Sequence, residues 1–364
     1  MPFTVFDVWD TAILTGEIMR PPAGRDPGAA EDDTTRLGDT ISPLKSHPGR
    51  QAKVRVSELK PFGKGQLRAP GATPPLFRTQ VAWEDRIIEL ALLDEMERID
   101  EETWLALDSP DDNVRRSAGA SLVDRGRVLR TRNQRLTEYM RWQVFLNGTL
   151  TLRYPPREQG STLVIDYGFP AGHKPTVSTL WTTVSSADPV SDIQSWSEKL
   201  ADDSGFYARH LHMNSKTYDL LIRNTNVKNM INFYAAGAAP IQRPRRQDLL
   251  NLFTSFAVDQ DITIYDNGYR DEGAAGIGRP SLTKYLTDYK VLVTTNYSLD
   301  GTDISDTLDG QVLVADGYNS TRTVQGETAE VMLDVMSKTH FFRYASARIP
   351  RILIPEAFLV ATVG

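Results

Sequence analysis

Residues 121–167 read SLVDRGRVLRTRNQRLTEYMRWQVFLNGTLTLRYPPREQGSTLVIDY, and the pattern changes there from helical to β. Four apolar side chains fall on one narrow side of a helical wheel: Leu122, Leu129, Leu136 and Met140. A helix with one such stripe can bury it while the other sides stay solvated. We expect the helix to end near Asn147 and Gly148, because glycine readily takes the left-handed conformation that closes a helix.

A hairpin is predicted directly after this helix. Residues 149–154 and 161–167 are rich in β-branched and apolar side chains, which is typical of strands. Residues 155–160, with two prolines and a glycine, form the turn between them. We take this helix and its hairpin as the backbone of the whole protein.

Arginines occupy the other sides of the predicted helix. Arg127 lies opposite the apolar stripe, and Arg130 and Arg141 flank it. They could bind nucleic-acid phosphates, or they could pair with the acids of residues 83–102 or of a neighbouring chain. Because the aromatic side chains typical of single-strand binders are missing here, salt bridges between proteins are favoured.

Length and composition narrow the classes of protein. A chain of 364 residues with 40% hydrophobic content can form one large or two medium domains. The net charge of −6 gives no argument for binding nucleic acid or membranes. The absence of cysteine excludes disulfides, thiolate catalysis and cysteine-ligated metals. Without a signal-peptide pattern or an apolar run of about 20 residues, we expect a soluble protein made in the cytosol.

The N-terminal segment is apolar and aromatic. Residues 1–18 include Phe3, Phe6 and Trp9, and so short a segment cannot bury these side chains against itself. It must therefore dock on the main body or on a neighbouring chain. Residues 21–39, rich in proline, glycine, alanine and acids, predict a linker or loop.

The charge reverses between residues 45 and 78, where eight basic residues face the single acid Glu58. The basic residues are Lys45, Arg50, Lys53, Arg55, Lys60, Lys64, Arg68 and Arg78. Strand-like patches at 52–59 and 66–69 flank a glycine turn, which predicts a long two-stranded ribbon. Because an isolated ribbon is marginally stable in water, an interaction arm is favoured over a solvated loop.

The rest of the chain mixes helices and strands. Residues 83–99 have the spacing of an amphipathic helix, and Asp188-Pro189 is typical of a helix start. Further helices are expected at 215–227 and 249–256. Strands are expected at 207–213, 262–265, 289–294, 311–315, 340–344 and 357–363. Since no regular βαβ rhythm appears, the prediction is an α+β fold.

No pattern indicates catalysis or a cofactor. His210 and His212 would share one face of a strand, but no third ligand lies at a useful spacing, so structural histidines are favoured. Asp303, Asp306, Asp309 and Asp316 are spaced unlike a calcium loop and are interpreted as an acidic surface turn. The glycine-rich residues 273–278 match no phosphate-binding motif. We therefore expect neither an enzyme nor a bound cofactor or metal.

The order of these pieces resembles the major capsid protein E family of lambda-like tailed phages, which have the Hong-Kong-97-type capsid fold. The matching residues run from Arg132 through Asn147-Gly148 to Ile165-Asp166-Tyr167-Gly168. Trp181 and Asp188-Pro189-Val190-Ser191-Asp192-Ile193 look like the family's tryptophan and its following helix start. Ser346-Ala347-Arg348-Ile349-Pro350 and Pro355-Glu356-Ala357-Phe358 look like its closing strands.

The resemblance implies an architecture. Residues 1–44 would be the N-terminal arm and 45–80 the extended loop. Residues 81–205 and 335–364 would be the peripheral domain with its spine helix, and 206–334 the axial domain. Some shells of this fold cross-link a loop lysine, for which Lys64 is the candidate, but lambda-like shells are generally not joined this way. No long N-terminal scaffolding segment is visible, so a separate scaffold is expected.

The implied function is that of a major capsid protein of an icosahedral phage head. It would assemble with itself into hexamers and pentamers around double-stranded DNA, without sequence-specific contacts to the DNA and without a membrane. Scaffold, portal and a decoration or cement protein would be its partners in the host cytoplasm, and the virion its final location. Contacts between subunits would involve Phe3, Phe6, Trp9, Lys53, Arg55, Lys60, Lys64, Arg68, Arg127, Arg130 and Arg141. The alternatives are an encapsulin-type bacterial compartment and a cytosolic enzyme of unrecognised α+β fold.

Overall fold

The computed structural model describes residues 11–19, 36–57, 83–153, 162–234, 244–255, 261–270, 281–299, 301–316, 320–334 and 339–364. The chain divides into two compact units. The first unit comprises Met1–Ala52, Ile87–Trp142 and Asp306–Arg351. The second unit comprises Lys53–Arg86, Gln143–Ser305 and Ile352–Gly364. Within the described ranges, no helix has the length and apolar character needed to cross a membrane.

Helices and strands are both abundant, in agreement with the predicted α+β class. The α-helices are α1 Thr11–Met19, α2 Leu37–Ile41, α3 Glu101–Leu107, α4 Asp112–Asn147, α5 Pro189–Ser204, α6 Ser215–Arg223, α7 Thr225–Tyr234 and α8 Arg246–Ser255. The strands are β1 Leu44–Ser46, β2 Gln51–Ser57, β3 Trp83–Glu89, β4 Ala91–Arg98, β5 Thr149–Arg153, β6 Thr162–Asp166, β7 His210–Met213, β8 Asp261–Ile264, β9 Gly268–Arg270, β10 Leu282–Lys284, β11 Lys290–Thr294, β12 Ser298–Leu299, β13 Thr302–Asp303, β14 Ser305–Asp309, β15 Gln311–Asp316, β16 Ser320–Gln325, β17 Thr328–Asp334, β18 Thr339–Ile352 and β19 Phe358–Thr362.

The long helix α4 ends where the sequence predicts. Gly148 follows its last residue with a φ of +64°, and the Gly148 N–H donates to the Val144 carbonyl. Most of the predicted apolar stripe is buried, but the Leu136 side chain is 44% exposed. A straight α-helix drifts by about 20° per seven residues, so the buried face has turned towards Asn133 and Thr137 at this level.

The predicted hairpin after α4 is confirmed. Strands β5 and β6 pair antiparallel, with Leu150 opposite Ile165. The predicted turn at residues 155–160 lies outside the described residues.

The prediction of a helix over residues 83–99 is wrong, because these residues form the strands β3 and β4. In β4, Leu93 is buried while Leu92 and Asp94 on either side are exposed, which is the alternation of a half-buried strand. The strand pairs antiparallel with β18, from Arg98 opposite Phe341 to Ala91 opposite Arg348. Pairing with a distant partner overrides the local helical spacing.

This correction changes the base of the ribbon. Strand β2 lies where the outgoing strand was predicted, and it pairs with β3. Among the described residues, the second strand of the ribbon is therefore β3, residues 83–89. The strand predicted at 66–69 and the ribbon tip lie outside the described residues.

The first unit contains a five-stranded sheet. Its strand order is β1-β14-β18-β17, and β4 pairs with β18 beside this path. Helix α1 packs against this sheet through Leu14 and Ile18, which are 0% and 1% exposed. The Ala329 N–H of β17 donates to Thr15 Oγ1 at 2.9 Å. The N-terminal segment was expected to dock either on the main body or on a neighbouring chain. Residues 11–18 dock on their own chain.

The second unit contains a four-stranded sheet with the order β19-β11-β7-β8. Helix α5 begins as predicted, with Asp188 accepting the Ser191 N–H, and it buries Trp196 in the core of this unit. The helix predicted at 215–227 is split in two, because Asn224 ends α6 and its side chain accepts the Val227 N–H at the start of α7.

Candidate assembly surface

The middle of α4 carries arginines that pair with acids of the same chain. Arg125 Nη2 lies 3.1 Å from Asp100 Oδ2, and Arg132 Nε donates to Glu95 at 2.8 Å. Both acids lie within residues 83–102. The sequence left open whether these arginines pair with those acids or with the acids of a neighbouring chain, and these two pairs lie within the chain. Since these pairs are largely exposed, each adds at most about 1 kcal/mol to stability.

The three arginines predicted to contact another subunit differ in exposure. Arg127 pairs with Asp124 at 2.8 Å, and Arg130 Nε donates to Glu327 at 3.0 Å. Their side chains are 27% and 30% exposed, so part of each side chain is open to solvent. The Arg141 side chain is 2% exposed. A side chain this buried has little surface for a neighbouring subunit, and the inter-subunit contact of Arg141 stays a prediction.

Arg141 instead joins three segments of the first unit. Its Nη1 forms an ion pair with Asp39, and its Nε donates to Thr307 Oγ1 at 2.7 Å. Glu138, one turn earlier on α4, accepts the Gly38 N–H at 3.1 Å and the Trp142 Nε1–H at 2.7 Å. These bonds offset part of the cost of burying both charges.

A second buried network involves strand β18. Arg348 Nη2 donates to Glu327 at 2.7 Å, and Arg348 Nε donates to Asp309 at 3.1 Å. Burial alone would raise the pKa of Glu327, but the positive charge of Arg348, with Arg130 beside it, holds that pKa below its ordinary value. For Asp309, burial outweighs Arg348 and raises the pKa. Glu327 is therefore the more firmly ionised member.

A third network crosses the sheet of the first unit. Arg343 of β18 donates from Nε to Asp94 of β4 at 2.8 Å, and its Nη1 forms an ion pair with Glu330 of β17. The hydrogen bond that Arg343 donates to Asp94 is the main reason that the pKa of Arg343 is raised. One guanidinium thus connects three neighbouring strands.

The sequence suggested that Asp306 lies in an acidic surface turn. This is wrong, because Asp306 lies in β14 and is 0% exposed. Arg351 donates to both of its carboxylate oxygens, at 2.8 and 2.6 Å, and Lys45 Nζ lies 3.5 Å away. Such bidentate pairing satisfies a buried carboxylate. The aspartate spacing carried no sign of this, because the arginine partner is 45 residues away in sequence.

His210 and His212 lie on the same face of β7, as predicted, with their rings stacked 6.0 Å apart. His212 is fully buried, and its Nε2 lies 3.3 Å from the Tyr297 hydroxyl. Burial, with the neighbouring His210, lowers the pKa of His212 to about 3. Among the described residues, no group of three or more histidines and acids could hold a metal ion.

The comparisons with known proteins identify the family. The profile described as phage major capsid protein E matches residues 73–276, which is more than half of the chain. The chain belongs to the phage major capsid protein E family. Members of this family are structural proteins, so the chain is a virion component and not an enzyme. No curated protein matches the chain in sequence.

Two solved structures have the same fold as this capsid protein. One is a prophage protein of Escherichia coli CFT073, described as a candidate capsid protein. It is 12% identical, with 97% of this chain and 99% of that chain covered and a TM-score of 0.56. The other is a phage-related protein of Bordetella bronchiseptica RB50. It is 14% identical, with 98% and 97% covered and a TM-score of 0.54. The predicted capsid fold is confirmed.

Most of the predicted contact residues of this capsid protein are not described. Phe3, Phe6, Trp9, Lys60, Lys64 and Arg68 lie outside the described residues. Lys53 and Arg55 lie on β2, where only the backbone is described.

The arginines of β18 in this capsid protein form buried ion pairs that were not expected from the sequence. Arg343, Arg348 and Arg351 stand within a strand whose other residues are mostly apolar and buried. Because a charged side chain inside an apolar strand requires a partner, this pattern was a usable signal for buried ion pairs.

Proposed function

We propose that this family member is the shell subunit of an icosahedral tailed-phage head and assembles into hexamers and pentamers that enclose double-stranded DNA. Self-assembly follows from its family. The observation that carries the finer proposal is the basic ribbon, whose strands β2 and β3 pair only with each other among the described residues. Residues 45–89, which include both strands of the ribbon, hold nine basic and four acidic residues, and this positive excess finds its complement in the acidic surface of sister copies.

The proposed contact residues fall into two groups. The first comprises the N-terminal arm and the ribbon, through Phe3, Phe6, Trp9, Lys53, Arg55, Lys60, Lys64 and Arg68. The second comprises the partly open side chains of Arg127 and Arg130 on α4. Arg141 is predicted as a contact as well, and its side chain is buried and lines a cavity of the first unit.

We also propose the division implied by the resemblance, with α4 as the spine helix. The arm is residues 1–44, the extended loop 45–80, the peripheral domain 81–205 and 335–364, and the axial domain 206–334. The compact units divide the chain differently, because α5 packs into the same core as β7 and β11. The peripheral boundary at residue 205 is therefore the one most in need of a test.

The remaining partners are proposals of the same kind. A scaffold and a portal would act during assembly in the host cytoplasm, and a decoration or cement protein would bind the finished shell. The net charge of −6 suits an inner surface that does not adhere to packaged DNA, so no sequence-specific DNA contact is expected.

The test is to replace residues 58–82 with a short Gly-Ser turn, which leaves β2 and β3 in place. We expect the wild-type protein to form shells in negative-stain micrographs. The shortened variant should remain as folded subunits or small oligomers, because its inter-subunit ribbon is gone. Circular dichroism and thermal unfolding would verify that the variant is folded.

Shells of normal size from the shortened variant would contradict the role of the ribbon. A wild-type protein that stays monomeric at all concentrations would contradict the proposed function itself.

A further inference from the structure

A cavity of about 300 Å³ in the first unit is lined by charged side chains. Four of them are arginines: Arg36, Arg130, Arg141 and Arg348. Three are acids: Asp39, Asp309 and Glu327. Its wall thus carries one more positive than negative charge.

The acids in the wall are already engaged. Glu327 is shared by Arg130 and Arg348, Asp309 accepts from Arg348, and Asp39 pairs with Arg141. Arg36 forms no ion pair with any residue that the structure describes. A fourth carboxylate, Glu138, lies behind the wall 3.5 Å from Arg141 Nη1, and its oxygens also accept the Gly38 and Trp142 N–H groups.

Arg141 provides an independent observation. Arg141 as a whole is 1% exposed, and its Nη2 has no hydrogen-bond partner within the described part of the chain. Leaving a buried charged donor unsatisfied costs more than leaving a neutral one unsatisfied. Among the described residues, the partly exposed Arg36 therefore has no ion-pair partner, and one buried donor of Arg141 has no acceptor.

We propose that this cavity binds one carboxylate group, carried by an acidic side chain of a second copy of the chain. A carboxylate has the planar pair of oxygens that guanidinium groups bind. Because the three acids of the wall and Glu138 already face its four arginines, a singly charged carboxylate fits the open donors better than a phosphate group, which would bring about two negative charges.

The choice of a second copy rests on the proposed function, because shell assembly brings identical chains together. The chain has 47 acidic residues against 41 basic ones, so a sister copy presents carboxylates in excess. The cavity would then be completed only in the assembled state, and assembly would satisfy donors that are unpaired in one subunit.

The test uses the full chain and two matched variants, Arg36→Gln and Arg98→Gln. Arg98 is an exposed arginine of the first unit whose side chain forms no ion pair with any described residue, so it controls for the loss of one positive charge. We expect Arg36→Gln to raise the protein concentration needed for half-assembly on the order of tenfold, and Arg98→Gln to leave it nearly unchanged. Light scattering and size-exclusion chromatography measure this concentration.

A second measurement identifies the source of the carboxylate. Sodium acetate, compared with sodium chloride at equal ionic strength, should raise the melting temperature of dissociated wild-type subunits. It should raise that of Arg36→Gln subunits less, and that of assembled shells not at all, because a neighbour's carboxylate already fills the cavity. Equal stabilisation of shells and subunits would overturn the proposal in favour of a free anion.

The failures of the two proposals are distinguishable. If the wild type forms no shells, the proposed function fails. If the wild type forms shells and both variants assemble equally well, only the carboxylate site fails.

Discussion

Glu138 shows how one residue sets the packing around it. Its carboxylate is fully buried on α4 and accepts N–H groups from Gly38 and Trp142. Gly38 approaches so closely that a Cβ there would lie 2.2 Å from Glu138 Oε2. The start of α2 therefore requires glycine because of a side chain 100 residues away.

We expect Gly38→Ala to lower the free energy of unfolding by about 1–3 kcal/mol, because the methyl group displaces a buried carboxylate from its donors. The matched control is Gly16→Ala in α1, where nothing lies within 4 Å of the added Cβ. That change should be neutral or stabilise by roughly 0.5–1 kcal/mol, since alanine favours a helix. Urea unfolding of both variants measures the difference.

At the scale of elements, α1 is held to the first unit by close packing with α4. A Cβ at Gly126 of α4 would lie 2.7 Å from Ile18 Cδ1 and 2.8 Å from Phe342 Cζ. The glycine thus permits the close approach of Ile18, which is 1% exposed, whereas Ile13 of the same helix is 42% exposed.

Truncating Ile18 to alanine should cost about 2–5 kcal/mol of folding free energy, because it leaves a cavity between α1, α4 and β18. Ile13→Ala removes the same atoms from a half-exposed position and should cost less than about 1 kcal/mol. Thermal unfolding compares the two variants. Equal losses would mean that α1 is not packed as described.

Residues 83–98 show why local patterns can mislead. Their apolar spacing fits a helix, yet they form β3 and β4. The deciding partner of β4 is β18, some 250 residues later in the chain, and local sequence contains no information about that pairing. By contrast, α4 and α5 were predictable because caps, proline and glycine act within a few residues.

At the scale of the whole molecule, charge governs the proposed assembly in two opposing ways. The net charge of −6 makes subunits repel one another, whereas the basic ribbon attracts acidic surfaces. Added salt screens both effects, since the Debye length falls from about 10 Å at 0.1 M to about 3 Å at 1 M.

We therefore expect a variant with Lys53, Lys60 and Lys64 changed to glutamine to assemble less well than the wild type at low salt. The difference should shrink as sodium chloride is raised, because the removed attraction is electrostatic. Static light scattering across a salt series measures both proteins. A difference that is independent of salt would mean that these lysines do not act through their charge.

The sequence alone determined the α+β class, the end of the long helix and its hairpin, the capped start of α5 and the resemblance to capsid proteins. These features depend on neighbouring residues or on the order of segments, both of which are visible in one dimension. Only the tertiary structure decided that residues 83–98 are strands, that Arg141 is internal, and that Asp306 is buried against Arg351. Each of these depends on a partner far away in the chain, because burial and pairing are properties of the folded core and not of local spacing.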